Sequence, residues 1–159
     1  MPAAFSIIDF EPAHQQAFRA SNYEVSYEWI SRYFNSEAPD SQALDYPQRR
    51  IIDTGGHILM AVDDTGEILG TCALVKEHDG VYELAKMAVS LRAQRRGVGY
   101  ALGQRILGKA RQLGAHSVEV LLDADMQPAL ALYDKLGFRP APLRPMAYYR
   151  GDTRLVLDL

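Results

Sequence analysis

The stretch KMAVSLRAQRRGVGYALGQRI, residues 86–106, decides how this chain is read. An apolar, strand-like run ends at Val89, and a loop carrying Arg92, Gln94, Arg95 and Arg96 follows it. Beyond the loop Val98, Ala101, Leu102, Ile106, Ala110 and Leu113 recur at helical spacing, and Gly114 stands where a C-terminal cap belongs. Gly97 and Gly99 open that helix. The first main-chain N–H groups of a helix have no intrahelical partner and lie at the positive end of its dipole, so they suit a phosphate or pyrophosphate. Glycine lets the backbone come close without a Cβ in the way, and arginines add charge. The turn reads either as such an anion cradle or as a plain tight turn beside a solvated basic loop. A dinucleotide-binding module fits poorly, since only two glycines of that fingerprint are present and a meander of strands precedes the turn.

Upstream, FSIIDF reads as a first strand and the segment from His14 to Phe34 as helical, rich in aromatic residues on more than one face. A short helix follows Pro47 and stops at Gly55-Gly56. HILMAV and EILGTCALVKE are strands joined by the turn DDTG, and a second turn at HDG leads into VYELAKMAV. Downstream, HSVEVLL is a strand, PALALYDKLG a helix ending on Gly137, and MAYYRGDTRLVLDL a closing pair of strands. The order predicts an α+β (mixed α/β) fold built on one central mixed β-sheet of about six to seven strands flanked by helices.

With 159 residues, 48% of them hydrophobic, the chain is sized for one domain over 1–159 with a single sizeable core. Seventeen basic against 20 acidic residues give a formal charge of -3, which offers no global attraction for nucleic acid or a membrane surface. Any anion site must therefore be local. The single cysteine, Cys72, precludes an internal disulfide and fits a reducing compartment, where it packs as a small hydrophobe. No run approaches the roughly 20 apolar residues that span a bilayer, and the N-terminus has no secretory pattern, so a cytoplasmic location is expected.

QRRGVG at 94–99 resembles the Q/R-x-x-G-x-G/A acyl-CoA-binding motif of the GNAT superfamily of N-acetyltransferases. ALALYDKLGF at 129–138 is similar to that family's second signature, and GGHILMAVDDTGEILGTCAL to its central hairpin, so the resemblance covers nearly the whole chain. It implies acetyl-CoA as co-substrate, an amine as acceptor, and no metal. It places the pyrophosphate on Gln94, Arg95, Arg96, Gly97, Val98, Gly99 and Tyr100, and pairs the pantetheine arm with Met87, Ala88 and Val89, where the strand splays from its neighbour at 117–122. Gln127 stands near a position where relatives carry a cofactor-contacting asparagine, and Leu91 where they often carry proline. A homodimer is compatible with the family.

Direct transfer from CoA to an amine leaves two proton transfers for the protein. Tyr133 aligns with the family's LY tyrosine, a general acid near the cofactor sulfur; the alternative is a core aromatic on the stripe of Leu130 and Leu136. For the base, strand alternation puts Val81, Glu83, Ala85, Met87 and Val89 on one face, so Glu83 is the polar exception on an apolar row. It is either a base with a raised pKa or a solvated residue near the strand's start. His78, His57 and His116 are weaker candidates. Trp29, Tyr33 and Tyr149, with Tyr148 and Arg150, are expected to line the acceptor site or else to pack in the core. The rival of another class is a non-catalytic acyl-CoA-binding or sensing domain, distinguished by whether any amine turns acetyl-CoA over.

Overall fold

Alternating apolar side chains shape residues 57–89 into a meander, and the rest of the sheet is added on either side of it. The computed structural model describes residues 5–20, 46–90, 93, 96–143 and 152–159, the side chain of Lys86 excepted. The strands are β1 (Phe5–Asp9), β2 (His57–Asp63), β3 (Ile68–His78), β4 (Val81–Val89), β5 (Ser117–Leu122), β6 (Arg139–Ala141) and β7 (Thr153–Asp158). Two long helices, α1 (Val98–Gln112) and α2 (Gln127–Leu136), connect β4 to β5 and β5 to β6. Among the described residues these seven strands form one sheet in the order β1-β2-β3-β4-β5-β7-β6. Among the described strands only β4 and β5 pair in parallel, as a strand–helix–strand crossover through α1 requires. The expected single mixed sheet is observed.

Each turn has a local cause. Between β2 and β3 the Asp63 Oδ1 accepts from the N–H groups of Thr65 and Glu67, both at 2.9 Å, and from the Thr65 hydroxyl at 2.6 Å. This is the turn expected from DDTG, an aspartate bonding its own following backbone. The helix expected after Pro47 is a single π-helical turn, Gln48–Ile52, closed by the N–H of Asp53 on the Gln48 carbonyl. The helix expected from His14 begins as a 3-10 turn, Pro12–His14, and is helical at 15–20. β7 pairs with β5 on one side and on the other with Arg139–Ala141, directly after α2, a strand not anticipated from the sequence; the first half of the expected closing pair, 146–151, lies outside the described residues.

Both faces of the sheet are covered. On one, Cys72, Leu74, Tyr82, Leu84, Val118 and Val120 meet Val98, Leu102 and Ile106 of α1 and Tyr133 of α2. On the other, Ile58, Met60 and Ala73 pack with Phe10, Phe18 and Ile51. Packing, not propensity, holds α1: it carries Gly99, Gly103 and Gly108, each costing about 1 kcal/mol against alanine in a helix interior. Fully buried Leu102 and Ile106 each return roughly 1.5–3 kcal/mol. Gly99 and Gly103 also let α2 approach, since a Cβ on the first would meet Leu132 at 3.3 Å and one on the second would overlap Leu136.

Candidate active site

The parallel ladder between β4 and β5 is short. It pairs Val81 with Ser117, Tyr82 with Val118 and Glu83 with Glu119, and ends there, although β4 continues to Val89 and β5 to Leu122. The two strands therefore splay, as expected. On its other side β4 carries a bulge: Thr71 pairs with Ala88 and Ala73 with Ala85, so Cys72 faces two residues, Lys86 and Met87. A bulge bends and twists its strand and re-aims the residues beyond it. The expected single row from Val81 to Val89 is thus broken. Met87 and Val89 pack on the core beneath α1, whereas Glu83 lies on the opposite face, because one inserted residue reverses the alternation.

Glu83 sits at the root of the splay and is only 3% exposed, so its solvated alternative does not hold. Opposite it, Glu119 is 1% exposed and receives Nε of Arg154 at 2.8 Å. Glu77, the bulged residue of β3 between Lys76 and His78, hydrogen-bonds to Glu119 and Glu83. Desolvation first, then these two carboxyl neighbours, push the Glu77 carboxyl up to about 8. Glu83 stands out in the sequence, whereas Glu77, Glu119 and Arg154 were not expected at the site. The signal for two of them was present: Glu119 interrupts HSVEVLL and Arg154 interrupts TRLVLDL in the way that Glu83 interrupts its own strand.

From the α1 side, Tyr133 is buried beside Phe138, with ring centroids 5.6 Å apart. Burial raises its phenol above the ordinary value, helped by the nearby Cys72 and Glu83. The hydroxyl is therefore a firmly protonated hydrogen-bond donor near the strands that splay. Cys72 is fully buried, its thiol donating to the Leu102 carbonyl at 3.8 Å and pushed up by desolvation, so it is no nucleophile.

At the other end of β4 the chain turns into α1. Gly97 is its N-cap at φ 80°, the left-handed region, with no side-chain capping bond, and the first intrahelical bond runs from Ala101 N–H to the Gly97 carbonyl. The N–H groups of Val98, Gly99 and Tyr100 thus precede the helical ladder. Arg96 is exposed beside them. Ser90, which follows β4, has a buried hydroxyl with no hydrogen-bond partner among the described residues, a feature that suits a polar occupant nearby. Tyr100 is held by Lys135 Nζ 4.5 Å over its ring and by Gln104. Gln127 is exposed at the start of α2 and donates its side-chain amide to the Ala124 carbonyl at 2.8 Å.

Gln94, Arg95, Trp29, Tyr33, Tyr148, Tyr149 and Arg150 lie outside the described residues. His57 is paired with Asp9 at 2.8 Å, and His78 and His116 are exposed. Among the described residues no group of three or more His, Cys, Asp or Glu suits a metal ion, and no helix is long and apolar enough to cross a membrane. The arrangement offers a strand edge for an extended, amide-bearing ligand, an anion turn at one end of it, and a buried carboxyl with a buried phenol at the other.

The profile of the acetyltransferase (GNAT) family matches residues 23–138. A mycothiol acetyltransferase of Arthrobacter sp. (strain FB24) is 37% identical over 86 residues, which is 50% of this chain and 26% of that protein. The chain thus spans about a quarter of the length of that curated relative. An acetyltransferase of the GNAT family from Staphylococcus aureus Mu50 has the same fold, with a TM-score of 0.85 at 15% identity over 98% of this chain and 99% of that one. So does a GNAT superfamily phosphinothricin acetyltransferase from Sinorhizobium meliloti in complex with AcCoA, with a TM-score of 0.73 at 17% identity over 100% and 89%.

Proposed function

The chain belongs to the acetyltransferase (GNAT) family, and from that premise we propose that it moves the acetyl group of acetyl-CoA directly to a primary amine of a small molecule or peptide. The observation that carries the proposal is the end of the β4–β5 ladder at Glu83 and Glu119, which opens a strand edge with a buried carboxyl at its root. The residues present fit the cofactor. Main-chain groups of Met87 to Val89 suit the amides of the pantetheine arm, and the turn from Gln94 to Tyr100, capped by Gly97 in the left-handed conformation, suits the pyrophosphate. The orphaned Ser90 hydroxyl lies between these two segments in sequence.

When bound, acetyl-CoA supplies an activated acyl group on a thiol that can leave. Glu83 takes the proton that an acceptor ammonium must lose before its nitrogen can attack. Tyr133 donates a hydrogen bond toward the sulfur; with its phenol raised above the ordinary range it stabilises the leaving thiolate while keeping most of its own proton. Trp29, Tyr33 and Tyr149 belong in this scheme to the acceptor side, and the site works in a cytoplasmic protein without a metal.

The test is release of free CoA thiol from acetyl-CoA with a panel of aliphatic amines, amino acids and short peptides, for wild type and Glu83→Gln. Glutamine keeps the shape and hydrogen-bonding capacity but takes no proton near neutral pH. A loss of about a hundredfold in kcat, with acetyl-CoA affinity retained, is expected. Full activity of Glu83→Gln would move the base elsewhere, and tight acetyl-CoA binding without turnover by any of the three amine classes would make the chain a binding domain.

A further inference from the structure

Three carboxyl groups from three adjacent strands meet on the sheet face that carries Glu83. Glu83 and Glu119 are register partners on the last rung of the β4–β5 ladder, so their side chains project to the same side. Glu77 enters the group because β3 has an extra residue between Lys76 and His78. Among the described residues the charge paired with this group is Arg154 of β7, locked on Glu119 and also donating to the Pro142 carbonyl at 3.2 Å. On the other side of the sheet Tyr133 feels both Cys72 and Glu83.

The bulge sets Glu77 on the face of the Glu83–Glu119 rung, within reach of both carboxyls, and that closeness carries a chemical requirement. Two ionised carboxylates have acceptors only, so a bond between carboxyl groups needs a proton. Among the described residues Arg154 is the cation paired with this group of three carboxyls, and like charges in a shared site keep one proton bound. The ion pair fixes which member stays ionised. Glu119 is held as a carboxylate by Arg154, and Glu77 is the exposed member, in contact with water.

We propose that Glu77 relays protons between Glu83 and solvent, with the Glu119–Arg154 pair holding the relay in place. The inference rests on the reading of Glu83 as the base and extends it by naming where the proton goes. Before reaction the three carboxyls share one proton. The N–H bond of the acceptor ammonium breaks as an O–H bond forms on Glu83. Glu77 then gives its own proton to water or buffer and takes the one from Glu83 along their hydrogen bond. Glu83 is a base again and the cluster is back to one proton. Glu77 and Glu119 act through Glu83 and need not touch the substrate.

Two measurements test this. In protein carrying carbon-13 at glutamate Cδ, wild type shows one glutamate titrating far above the usual carboxylate range. That signal disappears in Glu77→Gln and moves down in Glu119→Gln. With the panel amine that is turned over fastest, Glu77→Gln loses roughly tenfold in kcat in dilute buffer and regains it with added imidazole, with acetyl-CoA affinity unchanged. Wild type does not respond to imidazole. If every glutamate titrates in the ordinary range, the shared proton is absent and the proposal falls, whatever the kinetics. It falls equally if Glu77→Gln keeps the wild-type rate in dilute buffer while Glu83→Gln is inactive, an outcome that leaves Glu83 as the base. Full activity of Glu83→Gln is the separate outcome that removes the base assignment itself.

Discussion

Replacing Arg154 with methionine keeps an unbranched apolar stem and removes the charge, leaving Glu119 buried without its cation. Breaking a buried ion pair by removing one partner costs about 3–5 kcal/mol. The Arg154 side chain is 17% exposed against 2% for Glu119, so water already screens the cation side, and a loss of about 3 kcal/mol is the better expectation. For a chain of this size that lowers Tm by roughly 6–12 °C. The loss has a pH signature. Without Arg154, burial disfavours the ionised Glu119, so its folded pKa rises above the unfolded value of about 4.3. The folded variant then keeps a proton that the unfolded chain has released. Its stability is highest below the unfolded pKa and declines as pH rises through the folded one. The deficit relative to wild type should therefore widen between about pH 5 and pH 8 in thermal melts followed by circular dichroism. The double variant Arg154→Met with Glu119→Leu should recover most of the loss, since an apolar pair of similar volume replaces a buried ion pair at little cost. A deficit under about 0.5 kcal/mol, the same at both pH values, would refute the argument that Glu119 is a buried carboxylate held by Arg154.

Acetyl-CoA at a hundredfold excess over its Kd should stabilise the protein by about 2.7 kcal/mol, visible as a rise in Tm, whereas NAD and ATP should not; the reverse pattern would remove the anion turn from cofactor binding. Gly97→Val should lose that ligand-induced rise and cost a further 1–3 kcal/mol or so in the absence of ligand, because φ 80° is strained for a β-branched residue even though a Cβ there meets no neighbouring atom; Gly97→Asn, which tolerates this conformation, should lose less stability. Tyr133→Phe should bind acetyl-CoA nearly as wild type does and turn it over more slowly, by roughly a hundredfold if the hydrogen bond to the leaving sulfur is fully used. Because burial holds the Tyr133 proton, the folded state keeps it where the unfolded chain ionises, so the wild type should lose stability as pH rises past about 10 and Tyr133→Phe should lose less.

Much of the fold was legible because its causes are local. The period-two runs at β2, β3 and β4, the aspartate-glycine turns and the apolar stripe of α1 each state their structure within a dozen residues. β6 was missed because Arg139–Ala141 has two exposed residues and a proline; only its pairing with β7 makes it a strand. The bulge opposite Cys72 was missed for a similar reason, since KMAV alternates acceptably in either register and the choice is made by the neighbouring strand. At the site, Glu83, Glu119 and Arg154 each show as a polar interruption in an apolar strand. That they meet, with Glu77, was not legible, because the four come from four strands and only the sheet order β3-β4-β5-β7 brings them together.

The extra residue in β4 also works as a spacer. Upstream of it, Glu83 is fixed by the rung to Glu119; downstream, the turn at Gly97 is fixed by α1 on the core. Deleting one residue at Lys86–Met87 would restore a regular ladder, but it would draw these two anchors together by one strand residue, about 3.3 Å. It would also exchange the faces presented by Ala85 and everything before it relative to Met87 and Val89. The same single position thus sets both the reach between carboxyl and anion turn and the side of the sheet from which each is approached, so a ligand that must touch both ends is measured against it as against a ruler.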